Sequence, residues 1–462
     1  MKKILKNCVR KHWPILVLLV LAALTHFLFL NYPKEAVFDE VHFGKFVSAY
    51  FTHQYYFDIH PPLGKLIIAG FANIFGFRPE FSFANIGEKI NGGSIFILRF
   101  MPALFGVLLV AIIYQLILAV GLSKKYAFLG GWLVLFDNAL LVQSKFVLVD
   151  IFLLAFGFTG LYLFILSKKV KPTKKSLIFF ILAAFFSALA FSVKWTAFSF
   201  LGIIVISVVI DFFRNFKFKK LLLQLSLLLS ISFFVYFSIF LVHFKLLYKS
   251  GPGDAFMGQD FQATLLGDKT NKTETHYSVW NKFIELNLAM YRYNKNITAN
   301  HPFGSKWYQW PTDKKPIWYW TRSINNNEKI ESIYLLGNVI IWWLALFSVI
   351  FSLFVLLSKN LRKKTAPIIY LLLLGYFLNL IPYIPIKRVT FLYHYLPSLI
   401  FGILLFVLFY ARIFEPLLKK TGRFVYLGIL LIVILFFLYL SPITYGFPVS
   451  SSVYHIYDFF LK

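Results

Sequence analysis

FDEVHFGKFVSAYFTHQYYFDIHPPLGK, residues 38–65, packs three acids, three histidines and a proline pair into 28 positions just after the first membrane-length apolar run. From Phe43 the apolar residues recur as Phe43, Phe46, Val47, Tyr50 and Phe51, the stripe of an amphipathic helix. Asp39 and Glu40 are adjacent, so on a helix they point about 100° apart and are expected to take different roles. Counting back along the stripe aims Asp39 towards the apolar side, although Asp at such a start also suits a helix N-cap. Pro61-Pro62 opens a second periodic segment, Leu63, Leu66, Ile67, Gly70, Phe71, Ile74 and Phe75, as proline does at a first helical turn. About fifteen residues at 1.5 Å each fall short of a bilayer core of about 30 Å. Two interfacial amphipathic helices flanking a turn with Asp58 and His60 are therefore expected.

Outside this stretch the chain is mostly hydrocarbon. Of 462 residues 59% are hydrophobic, 20% aromatic and 14% charged, whereas soluble domains are about a quarter charged. Apolar runs lie near 13–30, 95–120, 126–143, 146–166, 176–193, 196–211, 221–244, 333–357, 365–384, 389–411 and 424–443. Each is close to the ~20 residues a spanning helix needs. The expectation is an all-α polytopic membrane protein, one membrane domain over 1–462 with about eleven transmembrane helices. Its two large outer loops are 31–94 and 245–332, and the basic N-terminal run is read as a retained span.

Charge placement sets orientation. Segments 1–12, 121–125, 167–175, 212–220, 358–364 and 412–423 hold 24 Lys/Arg and one acid, Glu415. By the positive-inside rule these are cytoplasmic, placing the N-terminus inside and the C-terminus outside. The net charge of +28 thus records topology, and no nucleic-acid partner is expected. With the single cysteine Cys8 no internal disulfide can form.

Ionisable residues at the outer ends of spans stand out, because such groups are costly in a membrane. They are Arg99, Asp137, Lys145, Asp150, Lys194, Lys387 and Arg388, the last pair followed by Tyr393 and His394. A ring of Arg99, Lys145, Lys194, Lys387 and Arg388 would suit the phosphate of a membrane-anchored lipid, and an acid of 38–65 would suit a general base for an acceptor hydroxyl. The duller readings are snorkelling for Arg99 and a structural salt bridge between Lys145 and an aspartate. Asp39 with His42, or Asp58 with His60, also has donors for a divalent ion, but no cofactor is expected. The Trp/Tyr cluster at 307–320 reads either as a stacking platform or as an interfacial belt. Asn271-Lys-Thr273 and Asn296-Ile-Thr298 match glycosylation acceptors.

FDEVHFGKF, FDIHPPLGK, LRFMPALFG, DNALLVQSKFVLVD, SVKWTAF, HPFGSKWYQWP and KRVTFLYHYLP together resemble, in order, blocks of the protein O-mannosyltransferases. The resemblance implies a GT-C glycosyltransferase fold of eleven spans with the site on the extracytoplasmic face. It also implies mannose transfer, with inversion, from a polyprenyl-phosphate-mannose donor to Ser/Thr hydroxyls of proteins. The family's essential first-loop aspartate falls on Asp39, with Glu40 beside it, and its second-span arginine falls on Arg99. Lys145 stands where the family usually has arginine, which keeps charge and loses bidentate phosphate contact. Catalysis is expected from Asp39 and Glu40. Substrate binding is expected from His60, Arg99, Lys145, Asp150, Lys194, Arg388, Tyr393 and His394, with no metal site. Segment 245–332 is too short for the MIR domain of eukaryotic members, which fits a prokaryotic protein of the cell membrane. The alternatives are a related GT-C enzyme with a lipid or glycan acceptor and, from another class, an anionic-lipid or solute transporter, which would be expected to carry internal repeats.

Overall fold

The structure, a computed structural model, describes residues 2–267, 277–298, 300–326, 328–365 and 368–461. The Asn271 glycosylation match lies outside them. The helices in chain order are α1 (Lys2–Phe27), α2 (Glu40–Thr52), α3 (Leu63–Ile74), α4 (Gly92–Ala119), α5 (Lys124–Leu135), α6 (Asn138–Lys145), α7 (Asp150–Lys169) and α8 (Lys174–Phe191). They continue as α9 (Phe198–Asn215), α10 (Phe218–Leu246), α11 (Val279–Asn296), α12 (Val339–Leu357), α13 (Ile368–Leu378), α14 (Leu396–Phe409) and α15 (Thr421–Tyr445). Among the described residues eight helices are long and apolar enough to cross a membrane, or nine if the bent pair α5–α6 counts as one span. The expected runs at 13–30 and 365–384 are also helical and apolar but shorter, over His12–Phe27 and Ile368–Tyr383.

Two boundaries differ from the periodicity. The run at 126–143 is not one straight helix, because α5 and α6 meet at 62°. Asp137 causes the break: its carboxylate accepts the Leu140 amide at 2.9 Å, as an N-cap does. The run at 333–357 begins as a strand, and the helix starts only at Val339.

Helix position follows from how polarity is distributed round each helix. α14 is apolar all round and buried along its whole length, as a central helix must be. α10 and α15 instead expose Leu229, Phe234, Leu431 and Leu435, an apolar exterior that only a lipid surround makes favourable.

A small three-stranded sheet interrupts the helical architecture: β1 (Ile317–Ile324), β2 (Lys329–Leu335) and β3 (Val449–Ser450), in that order and antiparallel. The tryptophan and tyrosine run at 317–320 is therefore strand. Ile317, Tyr319 and Trp320 are buried across a bulge between Trp318 and Trp320. Alternating aromatic and β-branched residues stabilise such a ribbon, and the spacing of indoles alone does not distinguish it from an interfacial belt.

The loops 31–94 and 245–332 pack on each other through Gly251-Pro252-Gly253. A Cβ on Gly253 would sit 2.4 Å from the Tyr56 carbonyl carbon, and one on Gly251 would sit 2.4 Å from the Tyr55 oxygen. Only glycine permits that backbone approach. The Gly253 amide donates to the Tyr55 carbonyl at 3.0 Å and Tyr55 in turn donates to the Lys249 carbonyl at 2.8 Å. From α11, Asn294 Nδ2 donates to the Ile59 carbonyl at 2.8 Å. Segment 53–59 is thus fixed from both sides as it leads to Asp58 and His60.

Candidate active site

α2 begins at the acidic pair, and the two acids have opposite fates. Glu40 is fully buried. Its Oε1 accepts from Arg99 Nε at 2.8 Å and the Val147 amide at 2.9 Å, and its Oε2 from Arg99 Nη2 at 2.7 Å and the Val37 amide at 3.0 Å. Arg99 completes its own set on the carbonyls of Leu30 (3.3 Å), Pro33 (2.9 Å) and Glu35 (3.0 Å) and lies over the Phe146 ring. A guanidinium has five N–H donors, and all five are occupied. Neither Arg99 nor Glu40 has a group left for a substrate. The pair ties the first loop to α4 and to the turn before α7, and the Arg99 donors expected to face a phosphate are turned onto Glu40 and backbone carbonyls. Burial also overturns the snorkelling alternative.

Asp39 is the converse. Its carbonyl starts α2, accepting from His42 and Phe43 at 3.0 and 2.9 Å, but its carboxylate makes no capping bond. Phe38 before it has φ +39, strained for a side chain of that bulk. That turn is held by the Phe38 amide donating to the Tyr319 carbonyl at 3.0 Å and by the Phe38 ring stacked on Tyr319 at 4.5 Å. The Asp39 carboxyl is pushed up to about 7: burial is the main cause, Lys194 opposes it, and the like charges of Asp150 and Asp58 add to it. Such a carboxyl titrates where a general base must.

Around it sit several sequence-predicted residues. Lys194, from the break between α8 and α9, holds both oxygens of Asp150 at 2.9 and 2.8 Å and lies 5.0 Å over the Tyr393 ring. Gln143 donates to Asp150 at 2.9 Å and accepts the Tyr319 hydroxyl at 2.6 Å. His394 stacks between Tyr393 and Trp310 and holds the Phe391 carbonyl at 2.9 Å through Nδ1. Trp310 is anchored by its indole N–H on Ser305 Oγ at 2.9 Å, and the Ser305 amide donates to the Thr390 carbonyl while the Thr390 hydroxyl donates to the Ser305 carbonyl. This joins HPFGSKWYQWP to KRVTFLYHYLP. Asp150, Thr196, Tyr383, Tyr393 and His394 line one small cavity.

Arg388 lies in the adjoining loop, partly buried, with no carboxylate partner among the described residues. Its charge reaches His60, Tyr383 and Tyr393. His60 is held well below the usual histidine range, first by burial and then by the charges of Lys194, Lys65, Arg388 and His394, so it is neutral near pH 7. Asp58 pairs with Lys65, whose Nζ also donates to the His60 carbonyl at 2.9 Å. Lys387, beside Arg388, is exposed.

Lys145 is elsewhere. Its Nζ sits 4.0 Å over the Tyr445 ring and reaches the Leu28 and Phe29 carbonyls at 3.3 and 3.5 Å, just past the end of α1. It makes no salt bridge with Asp137 or Asp150, whose partners are Trp342 with Asn338 and Lys194 with Gln143. The predicted ring of cations therefore shrinks to Lys194 and Arg388. Tyr319, Gln143 and Phe38 join the site unforeseen. Gln143 lay inside a quoted block, whereas Tyr319 gave no signal apart from its aromatic neighbours. Among the described residues no three His, Cys, Asp or Glu side chains come together as metal ligands.

Two family models match the chain. That of dolichyl-phosphate-mannose-protein mannosyltransferase matches residues 16–248, and that of the C-terminal four-span region of protein-O-mannosyltransferase matches 279–460. The chain belongs to the protein O-mannosyltransferase family. It is 31% identical over 339 residues to protein O-mannosyltransferase 1 of Drosophila melanogaster, a match covering 71% of this chain and 37% of that relative. It is 33% identical over 263 residues to dolichyl-phosphate-mannose--protein mannosyltransferase 4 of Schizosaccharomyces pombe, covering 53% of this chain and 34% of that protein. The chain thus matches little more than a third of these curated relatives' length.

Among solved structures, the S. cerevisiae Pmt1-Pmt2 complex bound to the sugar donor superposes with TM-score 0.86 at 20% identity, over 97% of this chain and 92% of that one. ArnT from Cupriavidus metallidurans bound to undecaprenyl phosphate gives 0.58 at 11%, over 94% and 77%. These likenesses establish the shared GT-C architecture of a multi-pass membrane protein.

Proposed function

We propose that this chain transfers mannose from polyprenyl-phosphate-mannose to Ser or Thr hydroxyls of proteins, with inversion at the sugar's anomeric carbon. The observation that carries the reading is the Asp39 carboxylate: the one acid of the stretch 38–65 whose oxygens have no donor, in a chain of this family. Asp39 takes the acceptor hydroxyl proton, the hydroxyl oxygen forms a bond to C1, and the bond from C1 to the phosphate oxygen breaks. Polyprenyl phosphate leaves with the electron pair, its charge met by Arg388 and Lys194. The phosphate is held without a metal in this reading, so EDTA leaves the rate unchanged. Asp150, itself held by Gln143, holds Lys194 in place, and Tyr393, His394 and neutral His60 form the wall against the sugar. The lysine and arginine distribution supports an extracytoplasmic site.

The test is transfer of radiolabelled mannose from synthetic polyprenyl-phosphate-mannose to a Ser/Thr-rich peptide, in membranes carrying this chain or its Asp39→Asn variant. Loss of a general base should lower transfer by about 10²–10⁴-fold with donor binding retained. Near-full activity in the variant would remove Asp39 from the role, and donor consumption without labelled peptide would point to another acceptor.

A further inference from the structure

At the opposite end of the bundle from Asp39, three helices leave a space between them. α7 starts at Asp150 beside the site and ends at Lys169, roughly 28 Å away at 1.5 Å per residue. There the ends of α7 and α9 and the start of α13 enclose a cavity of about 620 Å³, the size range of a small-molecule site. Its walls include Phe164, Ile165, Ile210, Leu371 and Leu374, and its mouth carries Lys168, Lys169, Asp211 and Arg214. A second, much smaller void of about 10 Å³ also touches Ile165 and has Leu372, Leu404 and Leu408 in its lining.

The mouth is not charge-balanced. Lys168 is paired with Asp211, whereas Lys169 and Arg214 have no carboxylate partner among the described residues. Two cations without a carboxylate partner over a slot walled by Phe164, Ile165, Ile210, Leu371 and Leu374 complement a molecule with an anionic head and a hydrocarbon chain. Lysines and arginines that merely fix topology need no such slot. We infer that this cavity binds an anionic glycerophospholipid of the adjoining leaflet, its phosphate between Lys169 and Arg214 and an acyl chain between α7, α9 and α13. It is a structural lipid site, separate from the transfer chemistry.

The test uses the full chain in detergent, titrated with phosphatidylglycerol or phosphatidylcholine of identical acyl chains while the unfolding temperature is followed. Phosphatidylglycerol should raise it at a lower concentration than phosphatidylcholine. In the Lys169→Gln/Arg214→Gln double variant the half-saturating phosphatidylglycerol concentration should rise about tenfold or more, because each basic group near an anionic headgroup contributes about 1 kcal/mol. Leu374→Trp, which fills the slot and keeps the charges, should lose the response as well. Transfer activity in detergent serves as the folding control, and both variants should retain it. Equal responses of the wild-type chain to the two lipids, or an unchanged midpoint in the double variant, would overturn the assignment. So would an equal shift with inorganic phosphate alone, which would make the site one for a free anion.

Discussion

Arg99 and Glu40, 59 positions apart in sequence, form a two-bond ion pair at 2.8 and 2.7 Å with no solvent exposure at either residue. The remaining donors of Arg99 and lone pairs of Glu40 go to backbone. The neighbouring carboxylate of Asp39 is left without a donor. One acid of the pair builds the loop so that the other can act.

Removing either member of that ion pair strands a buried charge. Arg99→Ala and Glu40→Ala should each cost about 3–5 kcal/mol, and the double variant much less than the sum. Thermal unfolding in detergent checks this cycle. Additive losses would show that the two side chains act separately.

Asp39→Asn should behave differently, because the carboxylate there is held at a cost. With a folded pKa of about 7 against an ordinary 3.8, its stabilising contribution is full below the ordinary value and is lost as pH rises through about 7. The variant should therefore unfold at a higher temperature than wild type at pH 8, with the gain shrinking towards pH 5. A lower unfolding temperature at pH 8 would contradict the assigned environment.

Transfer by the wild-type chain should rise with pH through about 7 as Asp39 deprotonates. Lys194 opposes that shift and Asp150 adds to it, so the two neighbours move the limb in opposite directions. Asp150→Asn should shift the rising limb of kcat/KM to lower pH and Lys194→Met to higher pH. Limbs that stay put in both variants would mean that another group titrates.

Arg388→Gln should lower kcat/KM for the donor by roughly 10–100-fold, the value of one hydrogen bond to a charged group at about 1.5–3 kcal/mol. Its fold has little at stake, because Arg388 has no carboxylate partner among the described residues. Unfolding temperature and donor kinetics measured together separate the two effects.

Lys145→Met should leave donor KM within about twofold of wild type, since the buried ammonium faces Tyr445 and the end of α1 and not the cluster around Asp39. A large rise in donor KM would return Lys145 to the phosphate.

The amino-acid sequence by itself determined the membrane class, most of the helical runs and the short helices α2 and α3. These are local or additive properties: hydrocarbon length, helical period and the summed placement of lysine and arginine. Proline and glycine signals were equally legible, since Pro61-Pro62 does precede α3 and Gly251-Pro252-Gly253 does mark a turn. What that turn touches was not legible, because the backbone of Tyr55 and Tyr56 is almost 200 positions away in sequence.

Only the tertiary structure decided which charges face the site. Arg99, Lys145, Lys194 and Arg388 look alike in one dimension, each a cation at the outer end of a span. Arg99 meets the Glu40 carboxylate and three carbonyls, Lys145 meets Tyr445, Lys194 meets Asp150, and Arg388 meets none. A cation's role depends on which opposite charge or dipole is within hydrogen-bond reach, and that is set by the packing of helices distant in sequence. The same reason hid Tyr319, which reaches Gln143 across 176 positions through a strand that the hydrocarbon count could not register.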